Sequence, residues 1–321
     1  DRFYIDGVTA EDFNSIEVIS DTLIICNSTS IEITDTSGQP ITRVFDYGTD
    51  EGVTPISATS DGSNYYIADF NNALVISQGT FDNEVYNPGG PGSSSAFDMI
   101  ASGDELYVCR GGLAGQSQSR LLLGGVYKYS QQEWSSFDQT NVAAFDTILD
   151  VLNLTVDPQN DNRFYIASFY NGVAVLNTES QNVSTVYNAS NSTLQNGSLT
   201  GIPQVSHVQF DDNDNLWCNN SLSDKQLHVF YDNKWQGFRI PNIGSDAIPS
   251  ALCVIDDNRI AAGFFNKGLV VFDHNGTIAD TSDDNYTVIS TGEEGLPSND
   301  INDLVIDQDG ELWIATTQGV R

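Results

Sequence analysis

Positive charge is scarce in this sequence of 321 residues. Lysine and arginine number 12 against 44 aspartates and glutamates, which gives a formal net charge of -32 at pH 7. A chain with this charge repels nucleic acid phosphates and anionic lipid surfaces, so we exclude DNA, RNA and bare membrane as partners. The acidity fits general solubility, a protein kept in solution outside the cytoplasm, or one that holds calcium.

Long apolar runs are also missing. No stretch approaches the roughly 18 apolar residues that a membrane-spanning helix needs, and none has the pattern of a secretory signal peptide. Because the sequence opens on Asp1 rather than methionine, we expect a mature piece excised from a larger multi-domain protein.

Cysteine is rare, and its spacing suits no metal site. The four cysteines, Cys26, Cys109, Cys218 and Cys253, each lie in a short apolar run. In strands such residues behave as small buried hydrophobes, so we predict free thiols rather than disulfides. Cysteine usage therefore says little about the compartment.

What the sequence does contain is a repeat. Residues 301–320 predict one strand, a tight turn at Asp309 and Gly310, a second strand, and a glycine that opens a third. Related segments begin near residues 16, 56, 96, 151, 205, 250 and 301. Their apolar residues alternate with a period of two, which indicates strands, and turns rich in Asp, Asn and Gly are typical of hairpins.

Seven such repeats predict an all-β fold, a seven-bladed β-propeller of four-stranded antiparallel blades. A β-sandwich would not repeat one four-strand motif seven times, and a solenoid of these repeats would need capping units. We expect a single propeller domain over residues 1–321, with its last blade closed by an N-terminal strand at residues 2–6.

Residues 295–320, GLPSNDINDLVIDQDGELWIATTQGV, resemble the two-component regulator propeller repeat of Bacteroidetes. Residues 156–172 and 268–284 are similar to the PorZ-like surface propellers of the type IX secretion machinery. That resemblance implies a place at the outer-membrane surface or in the periplasm, in a complex with the sortase PorU and PorV- and PorQ-like proteins. It also implies binding of lipopolysaccharide glycan, although no functional residue carries over by motif.

The same repeat occurs in the extracellular sensor propellers of hybrid two-component systems, which the resemblance links to oligosaccharide binding. This sensor role is the alternative function. Catalysis has little support, because His207, His228 and His274 lie in no known catalytic frame. We predict that the chain is not an enzyme, although sequence motifs would not reveal a catalytic acid and base that lie on different repeats.

Loops that follow the second strand carry aromatic and amide side chains. We predict that Tyr170, Asn171, Phe265, Asn266 and Lys267 form a surface that stacks on sugar rings and hydrogen bonds to them. In the alternative interpretation, the aromatic residues that begin these loops pack between neighbouring blades, and they are Phe70, Phe169 and Phe264. Tyr170, Phe265 and Lys267 are then expected to be the exposed members, since strand neighbours point to opposite faces.

An insertion at residues 110–125 holds two of the few arginines, Arg110 and Arg120. Two cations on one loop predict a contact with phosphate or carboxylate groups of a glycan. Residues 121–123 are three leucines, which equally fit the start of a strand.

A polar segment at residues 273–284 places oxygen-bearing side chains at alternating positions. Asp273, Asn275, Asp280 and Asp283 are candidate ligands for Ca²⁺, although the spacing of an EF-hand is not met. The alternative is a long polar hairpin between two strands. We predict no required cofactor.

Overall fold

The computed structural model describes residues 13–49, 51–86, 90–115, 118–292 and 295–321. Every regular element in these residues is a β-strand, apart from one turn of 3₁₀ helix at Ala143–Asp146. The all-β fold class is therefore confirmed. The described part of the chain contains no helix with the length and hydropathy that crossing a membrane requires.

The chain divides into two compact units, Asp1–Gly89 and Gly90–Arg321. The first unit holds two four-stranded antiparallel sheets, and in each the strands pair in chain order. The first sheet contains β1 (Phe13–Ile19), β2 (Thr22–Asn27), β3 (Ile31–Asp35) and β4 (Pro40–Val44). The second sheet contains β5 (Pro55–Ser60), β6 (Tyr65–Asp69), β7 (Ala73–Gly79) and β8 (Asp82–Tyr86).

The second unit holds five further sheets, the third to the seventh, and a small hairpin of β11 (Leu113–Ala114) and β12 (Gln118–Ser119). The third sheet contains β9 (Ala96–Ser102), β10 (Glu105–Arg110), β13 (Gly125–Ser130) and β14 (Glu133–Phe137). The fourth contains β15 (Val151–Asp157), β16 (Asn160–Ser168), β17 (Gly172–Asn177) and β18 (Asn182–Tyr187). The fifth contains β19 (Val208–Phe210), β20 (Leu216–Asn219), β21 (Leu227–Tyr231) and β22 (Lys234–Phe238).

The sixth sheet contains β23 (Pro249–Val254), β24 (Arg259–Phe264), β25 (Gly268–Asp273) and β26 (Asn285–Ile289). The seventh has three strands within the described residues, β27 (Ile301–Ile306), β28 (Leu312–Thr316) and β29 (Gly319–Val320). Each sheet starts within three residues of a predicted repeat start, so the seven repeats correspond to seven sheets. The predicted closing strand at residues 2–6 lies outside the described residues, and the single-domain boundary stays a prediction.

A single aspartate closes the hairpin between the first and second strands of several sheets. Asp211 Oδ1 accepts hydrogen bonds from the backbone N–H groups of Asn213 and Asn215, both at 2.9 Å. Its other oxygen, Oδ2, accepts one from Trp217 Nε1 at 2.9 Å. One carboxylate thus satisfies the donors of the turn and fixes a second-strand side chain.

The same arrangement recurs in four other sheets. We call the five acidic residues the hairpin aspartates, and they are Asp61, Asp157, Asp211, Asp256 and Asp307. Their second-strand partners, beside Trp217, are Tyr66, Arg163, Arg259 and Trp313. Part of the acidity of the sequence therefore has a structural use in the turns.

A β-bulge interrupts the first strand of six sheets close to its start. In the fourth sheet Val151 pairs with Ser168 and Asn153 pairs with Ala167, which leaves Leu152 as the extra residue. The corresponding extra residues elsewhere include Asn14, Ile56, Ser250 and Asn302. In the third sheet two residues, Phe97 and Asp98, stand opposite one. A bulge redirects side chains at the point where it occurs.

Apolar side chains fill the space between consecutive sheets within each unit. In the first unit, Ile33 of the first sheet and Ile67 of the second belong to one buried cluster. In the second unit, the rings of Tyr107 and Phe164 pack 4.3 Å apart between the third and fourth sheets. Phe238 and Phe272 pack 4.7 Å apart between the fifth and sixth. The core is therefore a series of layers, one between each pair of neighbouring sheets.

Amide side chains on the first strands connect one sheet to the backbone of the next. Asn153 Oδ1 accepts a hydrogen bond from the N–H of Val208 at 2.9 Å, and Gln209 Oε1 accepts one from the N–H of Val254 at 3.0 Å. In the first unit, Asn14 Nδ2 donates to the carbonyl of Pro55 at 2.7 Å. These contacts satisfy backbone groups where two sheets meet.

The four cysteines are buried and free, as the sequence predicts. Burial raises the pKa of each thiol above its ordinary value, to about 11 for Cys253. They act as small core residues rather than as reactive groups.

Replacing the hairpin aspartate of the fifth sheet tests this part of the fold. Asp211→Ala leaves the fully buried Trp217 Nε1 and two turn N–H groups without their acceptor. We expect the free energy of unfolding in urea to fall by about 2–4 kcal/mol. Asp212→Ala is the matched control, because its side chain is exposed, and the change should stay within about 0.5 kcal/mol. Equal losses in the two variants would contradict the role of Asp211.

The hairpin aspartates also predict how stability depends on acid. Hydrogen bonds from the N–H groups of Asn64 and Ser63 lower the pKa of Asp61 to about 2, and side-chain and backbone donors lower the pKa values of Asp256 and Asp307. Because these values lie below those of the unfolded chain, near 3.9, the stabilisation is complete above about pH 4 and is lost as the pH falls towards 2. Thermal melts between pH 5 and pH 2 should show this loss, and Asp61→Asn should make it shallower.

Candidate binding site

The best-formed cavity of the second unit lies among its first strands. It has a volume of about 400 Å³, and we call it the first-strand pocket. Its titratable lining residues are Asp98, His207 and Asp303, and its amide and hydroxyl groups come from Asn153, Ser206, Ser250 and Asn302. Its aromatic lining residues are Phe97, Phe169 and Phe265. All five sheets of the unit contribute, so the pocket exists only when they are assembled.

The bulges of the first strands explain why these side chains meet. Leu152, Ser250 and Asn302 are bulge residues, and all three line the pocket. Phe97 and Asp98 occupy the same place in the third sheet. In these four sheets the extra residues are therefore among those presented to the cavity.

Hydrogen bonds fix two of the polar groups in the pocket wall. Asn153 Nδ2 donates to Asp98 Oδ2 at 2.7 Å, while its oxygen accepts from the N–H of Val208. On the fifth sheet, Asn219 Oδ1 accepts from Ser206 Oγ at 3.0 Å and from the N–H of His207 at 3.2 Å. Neighbouring sheets thus hold these side chains in place before any ligand arrives.

The pocket carries negative charge. Burial lowers the pKa of His207, and the nearby carboxylates of Asp98 and Asp303 oppose that shift without reversing it. His207 is therefore neutral at pH 7, and the two carboxylates set the charge of the cavity. Such a site repels anions and accepts neutral or cationic groups.

The aromatic loops after the second strands of the second, fourth and sixth sheets are equivalent, but the residues that correspond between them differ from those predicted. The N–H of Phe70, Phe169 and Phe265 each donates to a carbonyl just before the first strand of its own sheet. A left-handed residue follows three positions later in each loop: Ala73, Gly172 or Gly268. Phe265, rather than Phe264, is thus the counterpart of Phe70 and Phe169.

The predicted packing of the three aromatic residues is correct for two of them. Phe169 and Phe264 are 1% and 0% exposed, as expected for residues packed between sheets, whereas Phe70 is 79% exposed and the prediction for it is wrong. Its neighbour Asp69 turns inward and accepts hydrogen bonds from the N–H groups of Thr54 and Asn72, which leaves Phe70 directed to solvent.

Of the predicted sugar-stacking residues, the structure places Phe265 in the wall of the pocket. Tyr170 and Asn171 are partly exposed on the neighbouring loop, where their N–H groups donate to Ser168 Oγ. Asn266 is exposed, and Lys267 pairs with Asp246 at 3.5 Å. These four therefore lie outside the lining of the pocket, and their role in binding stays a prediction.

The insertion at residues 110–125 contributes Leu113 to the pocket. Buried Asp150 holds the insertion, because its carboxylate accepts hydrogen bonds from Ser119 Oγ and from the N–H groups of Leu121 and Leu122. Residues 121–123 do not begin a strand; the next strand starts at Gly125. Residues 116 and 117 lie outside the described ranges.

The two arginines of the insertion do not line the pocket. Arg110 Nη1 lies 3.5 Å from Gln139 Oε1 and near the carboxylate of Asp138, and Arg120 is exposed beside Gly112. Their predicted contact with an anionic glycan is thus separate from the cavity, and it stays a prediction.

The carboxylates of residues 273–284 accept local hydrogen bonds. Asp273 accepts from the N–H of Asn275, Asp280 from Ser282 and Asp283 from Asn275 Nδ2 and Thr277 Oγ1. Within the described ranges, no group of three or more His, Cys, Asp or Glu side chains is placed to hold a metal ion. Calcium binding by Asp273, Asn275, Asp280 and Asp283 stays a prediction.

Sequence reasoning missed Asp98, His207 and Asp303. Asp98 and Asp303 lie more than 200 positions apart in the chain, and only the assembled sheets bring them to one cavity. A signal was nonetheless present, since Asp98 and Asp303 lie near the bulges of two first strands and His207 immediately precedes another first strand.

Comparison with known proteins supports the propeller fold. Residues 295–318 match the family model described as two component regulator propeller. No curated protein matches the sequence. Among solved structures, the chain is similar to PorZ, an essential bacterial surface component of the type IX secretion system of Porphyromonas gingivalis. The identity is 20% and the TM-score 0.63, over 94% of this chain and 42% of that one.

The extracellular domain of a hybrid two-component system from B. thetaiotaomicron is similar as well. Here the identity is 16% and the TM-score 0.53, over 98% of this chain and 38% of that one. This chain therefore spans about two fifths of the length of both structures. At these identities the similarity establishes the fold, which is that of a β-propeller, and leaves function to be argued from the site.

The acidic loop of the sixth sheet yields a prediction about pH. Partial burial, reinforced by the charges of Asp283, Asp280 and Asp273, raises the pKa of Asp284 to about 6. Its ionised form is thus less favourable in the folded chain than in the unfolded one, so its unfavourable contribution is complete above about pH 6 and disappears as the pH falls from 6 towards the unfolded pKa near 3.9.

We expect Asp284→Asn to raise the melting temperature at pH 7 and to flatten the pH dependence of stability between pH 7 and pH 5. Asp212→Asn, which removes one exposed charge elsewhere, is the control for net charge. A melting curve that responds identically in both variants would show that Asp284 has no special environment.

Proposed function

We propose that this chain is a noncatalytic, extracytoplasmic binding module in a cell-surface attachment machinery of the type IX secretion kind. In this proposal the first-strand pocket, together with the loops around it, holds a segment of a partner protein. The observation that supports it most is convergence, because five sheets, an anchored insertion and two aromatic loop residues all border one cavity. Binding residues are commonly placed on such loops by a rigid scaffold.

A binding role fits the chemistry of the pocket better than catalysis does. Asp98 accepts a hydrogen bond from Asn153 Nδ2, and the backbone N–H of His207 donates to Asn219 Oδ1, so both residues are tied to adjacent strands. Ser206 Oγ lies within hydrogen-bond distance of Asn219 Oδ1, of the carbonyl of Pro249 and of His207 Nδ1, so it links the fifth sheet to the sixth. These contacts keep the polar groups fixed, which suits recognition of a preformed partner.

The partner set is drawn from the resemblance to PorZ-like propellers. We propose the sortase PorU and the PorV- and PorQ-like proteins as partners, and the outer-membrane surface or periplasm as the location. Lipopolysaccharide glycan is a second ligand, bound at the exposed Arg120 and the neighbouring Arg110 rather than in the negatively charged pocket.

The alternative function is that of an extracellular sensor propeller for oligosaccharides. The lining of the pocket favours this candidate to the extent that amides and hydroxyls stand beside aromatic rings, a combination that suits neutral sugars. It differs from the first proposal in its ligand, which is a free neutral saccharide and not a protein.

Recovery of surface partners tests the first proposal. With an affinity tag on the full-length protein in its native host, PorU-, PorV- or PorQ-like proteins should be recovered from the cell envelope. Phe265→Ala removes an aromatic wall of the pocket and should reduce recovery about tenfold, which corresponds to roughly 1.4 kcal/mol. Phe70→Ala, at the equivalent and exposed position of the second sheet, should leave recovery unchanged.

A glycan array and immobilised lipopolysaccharide separate the remaining outcomes. Binding to lipopolysaccharide that Arg110→Ala and Arg120→Ala abolish supports the second ligand. Saturable binding to neutral oligosaccharides, lost in Phe265→Ala and without recovery of surface proteins, would favour the sensor and overturn the attachment role.

A further inference from the structure

Two carboxylates in the first-strand pocket have no basic side chain beside them in its lining. Asp98 comes from β9 and Asp303 from β27, the first strands of the third and seventh sheets. Both line the same cavity as the imidazole of His207. Asp303 accepts a hydrogen bond from the N–H of its own neighbour Leu304, at 2.8 Å.

No cation of the chain balances these charges within the described residues. The lining of the pocket contains neither lysine nor arginine. The ion pairs that the described residues form all lie elsewhere, with other acidic partners. Asp98 is partly buried and Asp303 is exposed, and two like charges that border one cavity attract a positive group. An incoming cation therefore finds complementary charge here.

The shape of the pocket indicates what kind of cation fits. A bare metal ion needs several protein ligands around one point, and the described residues contain no such group of three. The cavity is instead large, about 400 Å³, with Leu113, Phe97 and Phe265 in its walls. Such walls suit an alkyl chain, and the aromatic faces attract a positive end group.

We propose that the first-strand pocket receives the side chain of a lysine or arginine from a loop of the partner protein. Its alkyl stem lies along Leu113 and Phe265, and its charged end lies between Asp98 and Asp303. Ser250 Oγ, which is shielded from solvent and has no partner among the described residues, provides a further acceptor. The inference rests on the proposed function, because it names the chemistry of the segment that the pocket holds.

Peptide binding tests the proposal directly. The probe is a fluorescently labelled acetyl-Gly-Gly-Arg-Gly-Gly amide, and its counterpart carries citrulline, which has nearly the same shape but no charge. Measured by fluorescence polarisation, the arginine peptide should bind at least about tenfold more tightly. Asp303→Asn should remove most of that difference, and added salt should weaken binding of the arginine peptide because the attraction is electrostatic.

Asp303→Asn is the first variant because Asp303 holds no other strand, whereas Asp98 also holds Asn153. Asp104→Asn is the matched control, since it removes the same charge from an exposed turn of the third sheet. Equal affinity for the two peptides, or an equal loss in Asp303→Asn and Asp104→Asn, would overturn the proposal. Agmatine binding as tightly as the arginine peptide would show that the ligand is a small amine and not a polypeptide.

Partner recovery distinguishes this inference from the proposed function. If surface proteins are recovered in a manner that depends on Phe265 but is indifferent to Asp303, the basic side chain is the wrong ligand and the binding module stands. If neither substitution affects recovery, the assignment of the pocket itself fails.

Discussion

The turn between two strands holds its shape only if its backbone N–H groups find an acceptor, and in this chain a carboxylate provides it. Asp211 shows the principle, since its two oxygens satisfy a turn and the indole of Trp217 together. The position of that indole in turn sets the packing against Phe238 and Phe272 of the next layer. A strongly acidic sequence is thus compatible with a well-packed fold, because many of its charges face donors instead of one another.

The site depends on a second constraint, the bulge near the start of the first strand in six of the seven sheets. A regular strand would alternate its side chains between the two faces of the sheet, and both faces are used for packing between sheets. The extra residue of a bulge does not follow that alternation, and the bulge residues Leu152, Ser250 and Asn302 line the pocket. The same repeat that builds the core therefore also supplies a place for residues with no role in packing.

The sequence was sufficient to predict where each of the seven sheets begins, because period-two patterns and Asp, Asn or Gly turns are local signals. It was insufficient for the loops. The sequence alignment matched Phe264 to Phe70, because it matched the first aromatic residue of each loop. In the structure the counterpart of Phe70 is Phe265, because the left-handed residues Ala73 and Gly268 set the register of the two loops. The pocket was not predicted because Asp98 and Asp303 come from distant repeats, and no local sequence pattern indicates that they line one cavity.

Three of the amides that connect neighbouring sheets reach forward along the chain. Asn14, Asn153 and Gln209 each find their partner in the backbone of the following repeat. During synthesis the amide side chain of such a repeat therefore bonds only to water until the following repeat has left the ribosome. Each of these three repeats therefore completes its contacts only with the repeat that follows it, and a protein cut between such repeats loses more than the repeat removed.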